Sequence, residues 1–292
     1  MEKHHHSTEG NIKIAFGINI LFTCIELVGG LYTNSLAILS DAMHDFGDSI
    51  SLGTSWYFER VSKKPRSESF TYGYKRFSLI GAFISSIVLI SGSLLILSEA
   101  VPRLLAPEHT DAKGMFILAV VGILLNGLTA LRLRSGKGLT EKVLTWHMME
   151  DVLGWVAVLV TSIVMSIQDT HILDPILSIL ITLFVLSKVL KNLKSVVKVF
   201  LQGVPDNLKI KEIEKSLLGI KGVLTVHDSH VWSLDGEESV LTSHLIVENA
   251  LSEERVFEVK CDAKQLLLQS YGIPHATLEL ERGKEECNLE KC

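Results

Sequence analysis

The sequence predicts an α-helical membrane protein with six transmembrane helices, plus a C-terminal α+β ferredoxin-like (αββαβ) cytoplasmic domain. Three observations predict this. Six long apolar runs precede residue 203, Lys and Arg alternate between the loops that join them, and charge density steps up near residue 204.

The step is large. Of 61 charged residues, 34 lie in the 203 residues of 1–203 and 27 in the 89 residues of 204–292. Net charge changes from +2 (18 Lys/Arg, 16 Asp/Glu) to −7 (10 against 17), which marks a domain boundary. A mean hydropathy of +0.33 excludes intrinsic disorder and low-complexity fibres. A net charge of −5 with no basic block argues against nucleic acid as a partner. The four cysteines, Cys24, Cys261, Cys287 and Cys292, lack the spacing of a secreted disulfide framework.

A helix needs about 20 mostly apolar residues to cross a hydrocarbon core of ~30 Å. Residues 12–33 and 35–58 are the first two candidates; each carries isolated ionisable groups but is too long and apolar for a surface helix. Residues 77–98, 114–131 and 152–168 contain no charge, the last extending on its N-terminal side from Trp146. Residues 172–198 complete the set. The joining segments carry turn residues, as in Thr33-Asn34-Ser35 and Lys63-Lys64-Pro65. No small-residue cleavage site follows the first run, which argues against a removed signal peptide. The 59–76 loop holds six Lys/Arg and the 132–142 loop four, and Lys188, Lys191, Lys194 and Lys198 follow at the end of the last run. The Asn34 region and the 169–171 loop hold none, and the 102–113 loop two. The positive-inside rule therefore sets both termini in the cytoplasm. A soluble helical core would also bury apolar runs, but it would not need alternating loop charge.

Ionisable groups at bilayer depth cost about 2.5–3.5 kcal/mol each on insertion scales, so they point to function. The second run contains Asp41, His44, Asp45 and Asp48, and the fifth His147, Glu150 and Asp151. His44 and Asp48 are four apart and share one helical face, as do His147 and Asp151. Two imidazoles and two carboxylates on facing helices match tetrahedral Zn²⁺, and the carboxylates balance the ion's charge. Lone polar groups in membrane bundles more often hydrogen-bond helices together. That reading suits Glu26 and Asn126, and it competes for Asp45 and Glu150; Asp41, three before His44, suits a supporting or access role.

These residues carry a resemblance. SLAILSDAMHDFGDS (35–49), WHMMEDVLGW (146–155), FTYGYKRFSLIGA (70–82), HILDP (171–175) and HDSHVW (227–232) closely resemble the cation diffusion facilitators, over roughly residues 12–282. Within that family the chain is most similar to the zinc/cadmium/cobalt-type bacterial exporters. Manganese and iron members tend to carry Asp where this chain has His44. The resemblance implies a homodimeric antiporter that exchanges a divalent cation for protons by alternating access, with no organic cofactor. It implies His44, Asp48, His147 and Asp151 as transport-site ligands, and Zn²⁺ as the transported substrate, with Cd²⁺ and Co²⁺ sharing the chemistry. It also implies an ion pair of Arg76 with Asp206. The 59–76 loop lacks the His/Asp cluster of some members, and the 132–142 loop lacks the His-rich insertion of eukaryotic vesicular ones. The expected location is thus a bacterial plasma membrane.

Residues 206–218 read as a helix, 223–234 and 239–247 as alternating strands joined at Asp235-Gly236, 252–270 as a helix with Ser252 as N-cap, and 275–281 as a last strand. The expected domains are an N-terminal tail (1–11), a six-helix cation efflux domain (12–203), a metallochaperone-like dimerisation domain (204–283) and a C-terminal tail (284–292). His227, His244 and His275, with Glu279 or Glu281, come from separate strands and form a candidate second metal site. By analogy His227 and His244 sit where family members bind regulatory zinc. His230 is expected to pack beside Trp232, and Cys24 to pack in the first span. His4-His5-His6 is a candidate metal-collecting tract, and Cys287 and Cys292 are a looser pair than a zinc C-x-x-C. Two other functions compete with transport: a membrane-embedded metal sensor, and a zinc-dependent intramembrane enzyme. The second would show H-E-x-x-H and an open coordination position, and the sequence has no such motif.

Overall fold

The computed structural model describes residues 2–134 and 139–282. The side chains of His4, His5 and His6, together with Cys287, Cys292 and the 284–292 tail, lie outside the described residues. The chain gathers into two units, Met1–Tyr57 with Gly81–Asn192, and Phe58–Ile80 with Leu193–Cys292.

The first unit is built from long helices: α1 (Glu2–Thr33), α2 (Leu36–Ser62), α3 (Phe77–Leu105), α4 (Ala112–Arg134), α5 (Leu139–Gln168) and α6 (Leu173–Phe200). Each outruns the apolar segment that predicts it, because helical hydrogen bonding continues into polar flanks whereas hydropathy marks only the part suited to lipid. Phe77–Leu105, Ala112–Arg134, Thr145–Gln168 and Leu173–Phe200 are long and apolar enough to cross a membrane. In α1 the side chains from Asn19 to Thr33 are described, and that stretch is apolar. In α2, Asp41, His44, Asp45 and Asp48 dilute the apolar content.

Small residues let these helices approach closely. A Cβ on Gly47 of α2 would lie 2.1 Å from a methyl of Leu89 on α3. One on Gly122 of α4 would lie 2.3 Å from the indole of Trp155 on α5. Trp155 is fully buried and packs with Phe22, Ile38, Met115 and Val158, its ring centroid 5.5 Å from that of Phe22. Cys24 is exposed on α1, not packed, and on an apolar helix that is a position for lipid contact.

The start of α2 is fixed from another helix. Ser35 is its N-cap, its Oγ accepting from the Ile38 N–H at 3.2 Å. Asp174 of α6, fully buried, accepts from Ser35 Oγ (2.6 Å), Leu36 N–H (2.8 Å) and Ala37 N–H (3.3 Å). One turn along α6, Ser178 Oγ donates to the Leu36 carbonyl at 3.1 Å. A further turn along, Thr182 and Ser40 share a hydroxyl hydrogen bond of 2.8 Å. Helix N-termini leave N–H groups unpaired and attract negative charge, so Asp174 serves both needs at once.

The second unit holds α7 (Ile210–Leu218), β1 (Val223–Ser233), β2 (Ser239–Val247), α8 (Glu253–Tyr271) and β3 (His275–Arg282). This is the αββαβ order, forming a sheet β1-β2-β3 with β1/β2 antiparallel and β2/β3 parallel across α8. The hairpin turn is longer than the Asp-Gly pair alone predicts. Leu234 N–H donates to the Glu238 carbonyl, Asp235 Oδ1 accepts from Glu237 and Glu238 N–H, and Gly236 takes φ +98°. Ser252 caps α8 through the Arg255 N–H, and Gly272 ends it in the left-handed conformation at φ +64°. Helix α7 starts at Ile210, later than the periodicity suggests, because the Pro205 carbonyl and the Leu208 N–H close a turn first. One sheet face is closed by a core that includes Ile213, Leu217, Leu241, Leu245, Val259 and Leu267. The other carries the histidines.

Asp174→Ala is expected to leave two N–H groups and a hydroxyl without an acceptor, at about 1–3 kcal/mol for each buried group so orphaned. The detergent-solubilised protein should melt well below wild type, and Asp174→Asn, which keeps one acceptor, should lie between. Equal melting of all three would show that α2 is held elsewhere.

Candidate metal centre

The i, i+4 spacing read on α2 and α5 brings its side chains together. His147 Nε2 lies 3.0 Å from Asp48 Oδ2, across the two helices. Within each helix, His44 Nε2 is 3.8 Å from Asp48 Oδ2 and His147 Nε2 is 3.9 Å from Asp151 Oδ2. The two imidazole rings stand edge to face with centroids 5.9 Å apart. His44, His147 and Asp151 each offer a ligand atom, and these atoms lie within 4.8 Å of one another. Ligand atoms about 2.0–2.2 Å from a tetrahedral ion are about 3.3–3.6 Å apart, a value the observed separations straddle.

Burial differs among the four. Asp151 is buried, while His44, Asp48 and His147 keep 21%, 24% and 26% of their side chains open. Among the described residues, Asp151 Oδ2 is buried with no hydrogen-bond partner, as are both carboxylate oxygens of Asp45 and of Glu26 on α1. Buried carboxylate oxygens without partners are costly unless a cation compensates them, so this donor set fits a divalent ion. Asp41 is buried and its Oδ1 lies 3.8 Å from where a Gly154 Cβ would be, placing it beside α5 one turn from the cluster. Glu150 pairs with Lys188 of α6. Asn126 is buried on α4, its Nδ2 without a partner among the described residues.

The second unit gathers another set. His227 and His244 are cross-strand partners on β1 and β2, with ring centroids 5.2 Å apart. Glu281 of β3 receives His244 Nδ1 at 2.5 Å and lies 4.0 Å from His227 Nε2. Glu279 is 3.6 Å from His244 Nε2 but mostly exposed. His275 is not brought to this set. It pairs in register with Val240, four residues along β3 from Glu279, and contacts Glu238 at 3.5 Å. Glu238 also holds Lys75, and Tyr72 packs edge-on against His275. His230 does not pack inside; more than half of its side chain is exposed and it pairs with Asp228 at 2.9 Å.

A β-bulge explains why His227 and His230 share a face. Asp228 and Ser229 together oppose Ser243, with Asp228 at φ +47°. The bulge also brings Asp228 Oδ2 to 3.7 Å from His244 Nε2, a neighbour that simple alternation does not predict. The expected pairing of Arg76 with Asp206 is replaced by one with Lys198, whose Nζ is 2.5 Å from Asp206 Oδ1. That contact holds the exposed Asp206 carboxyl below its ordinary range. The physical reason is proximity: Lys198, in the last turn of α6, lies only eight residues before Asp206.

Comparison with known proteins gives matches over most of the chain. Residues 12–201 match the model of the cation efflux transmembrane domain, and residues 205–282 that of the cation efflux protein cytoplasmic domain. The chain is 34% identical over 280 residues to the metal cation efflux system protein CzcD of Cupriavidus metallidurans, covering 95% of this chain and 88% of that protein. It is 31% identical over 287 residues to the cadmium, cobalt and zinc/H(+)-K(+) antiporter of Bacillus subtilis (95% and 91% covered). It is 32% identical over 271 residues to the zinc transporter ZitB of Escherichia coli (91% and 85% covered).

Zinc titration of the whole chain should separate the histidines of the sheet. His244→Ala or Glu281→Gln is expected to abolish one class of binding event, whereas His275→Ala should retain it. Loss of that class in His275→Ala alone would move the site to the Glu238 end of the sheet.

Proposed function

Because the chain belongs to the cation efflux family, the cation diffusion facilitators, and is thereby a multi-pass divalent metal cation efflux transporter rather than an enzyme, we propose that it is a Zn²⁺/H⁺ antiporter. Its substrate is Zn²⁺, with Cd²⁺ and Co²⁺ alongside, exported from the cytoplasm by alternating access. The ion is held by His44, Asp48, His147 and Asp151. The single observation that carries this reading is the convergence of His147 Nε2, Asp48 Oδ2 and Asp151 Oδ2 from two helices around the His44 imidazole. Imidazole nitrogen favours zinc and its late-transition neighbours over Mg²⁺ or Ca²⁺. A protonated imidazole has no lone pair for a metal, so proton and metal compete for the same nitrogen. On the acidic side protonation expels the ion; on the cytoplasmic side deprotonation readmits one.

The names of the relatives support the substrate class, since those proteins are called zinc, or cadmium, cobalt and zinc, transporters. In this reading all six of α1–α6 cross the membrane, α1 and α2 included. Residues 12–203 form the efflux domain, and both termini face the cytoplasm of a bacterial plasma membrane. Residues 204–283 join two copies as a homodimer, and His227, His244 and Glu281 bind a regulatory zinc on the exposed sheet face, with Glu279 beside them.

Proteoliposomes with an imposed pH gradient test the reading. Wild type is expected to move zinc against a proton counterflow, and His147→Ala and Asp48→Ala to reduce flux at least a hundredfold with folding intact. Normal flux in both variants would make the paired residues structural. A wild type that binds zinc without moving it would make the chain a sensor.

A further inference from the structure

His44 presents Nε2 to Asp48, while its other ring nitrogen, Nδ1, is buried with no hydrogen-bond partner among the described residues. A neutral imidazole carries one proton. For Nε2 to offer a lone pair to a metal, that proton must sit on Nδ1, and a buried N–H needs an acceptor. Metal-binding histidines ordinarily hold the second nitrogen in this way, which fixes both tautomer and ring orientation. Without an acceptor on that side the proton is free to sit on Nε2 instead, and the ligand position would be blocked.

Beside His44 lies a small cavity between α2, α3 and α6. Its polar lining is His44, Ser40, Ser93 and Thr182, and the remainder is apolar. Its volume is about 10 Å³. That is about the smallest space that holds one water, and a buried water needs two to four polar partners. The partners are present: Ser93 on α3 is buried at 6% exposure, and the Ser40–Thr182 pair, bonded at 2.8 Å, keeps unused lone pairs.

We propose that Ser93, with the Ser40–Thr182 hydroxyl pair, positions His44 for the metal through one buried water that accepts a hydrogen bond from Nδ1–H. The water donates in turn to Ser93 Oγ and to the hydroxyl pair, which leaves Nε2 bare towards Asp48 and His147. These hydroxyls are positioning residues and do not touch the ion. The device rests on the reading of His44 as a transport-site ligand. It also explains why α6, which brings no ligand, is tied by hydroxyls to the turn of α2 just before His44.

The test is zinc binding to the full-length protein in detergent, in an H227A/H244A background so that the membrane site alone is read. It is paired with ¹⁵N NMR of the metal-free His44 ring. Ser93→Ala and the near-isosteric Thr182→Val are expected to weaken zinc binding about 10–100-fold. Both should also move the His44 proton from Nδ1 towards Nε2. Ser93→Thr, which keeps the hydroxyl, should restore both readouts. If His44→Ala weakens binding while Ser93→Ala and Thr182→Val bind as tightly as the background, the positioning role is overturned and the ligand role stands. Weaker binding with an unchanged tautomer would likewise overturn it, as a packing effect. If His44→Ala binds zinc normally, the ligand reading itself fails and the positioning role with it.

Discussion

The carboxylate of Asp174 at the N-terminus of α2 is the contact on which the membrane unit depends. In a low-dielectric interior the first N–H groups of a helix must find acceptors, and water is not at hand to supply them. Here the acceptor comes from a helix 138 residues away in sequence. From it a ladder descends, one rung per turn. Asp174 meets Ser35 and Leu36, Ser178 meets the Leu36 carbonyl, and Thr182 meets Ser40. Three rungs at helical spacing fix the register and rotation of α2 against α6. The next turn of α2 carries His44, so the direction of its ring is set before any metal contact is made.

Against that frame stands a concentration of like charge. Asp41, Asp45, Asp48 and Asp151, with Glu26 of α1, lie within a few helical turns, and among the described residues Asp45 and Glu26 have no hydrogen-bond partner for either oxygen. Two unit charges about 4 Å apart interact by about 4 kcal/mol at an effective dielectric of about 20. Carboxylates buried this close to one another cannot all stay ionised without a cation beside them, which suits the arrangement to a cation. The close approach of Gly47 to Leu89 and of Gly122 to Trp155 gives the bundle the tight apolar contact that opposes this repulsion.

The two His-x-x-x-Asp pairs were legible in the sequence because both partners lie on one helix, where spacing alone decides who shares a face. The order of the C-terminal elements was legible for a similar reason, since period and turn residues are local signals. What escaped depends on contacts distant in sequence. Nothing near Asp174 announces that it caps α2. His227 and His230, three apart, belong on opposite faces of a regular strand and share one only because Asp228 and Ser229 bulge. Glu281 rather than His275 joins the histidine pair because β3 runs parallel to β2, which sets His244 beside Glu279 and places His275 at Val240. A sequence gives the faces of a strand but not the direction of its neighbour. The replacement of Arg76 by Lys198 as the partner of Asp206 is the same lesson for a flexible basic side chain, since charge complementarity identifies a class of partner and only the fold selects one.

The 3.0 Å contact of His147 with Asp48 bears on how the proposed exchange would run. That distance is a hydrogen bond, with His147 Nε2–H donating to the carboxylate. The proton occupies the lone pair a metal would need, and it lies on the line between two intended ligands. Metal and proton are therefore alternative ways of satisfying one pair of atoms, and a state holding both at His147 is excluded by valence rather than by repulsion. Such exclusivity is what obligatory exchange requires, because a carrier that accepted both would dissipate the gradient it uses. His44 stands differently: its Nε2 is 3.8 Å from the same oxygen, too far for a hydrogen bond. On the proposed reading the two histidines divide the labour. His147 trades its proton with the ion, and His44, its proton kept on the far side of the ring, stays ready to bind.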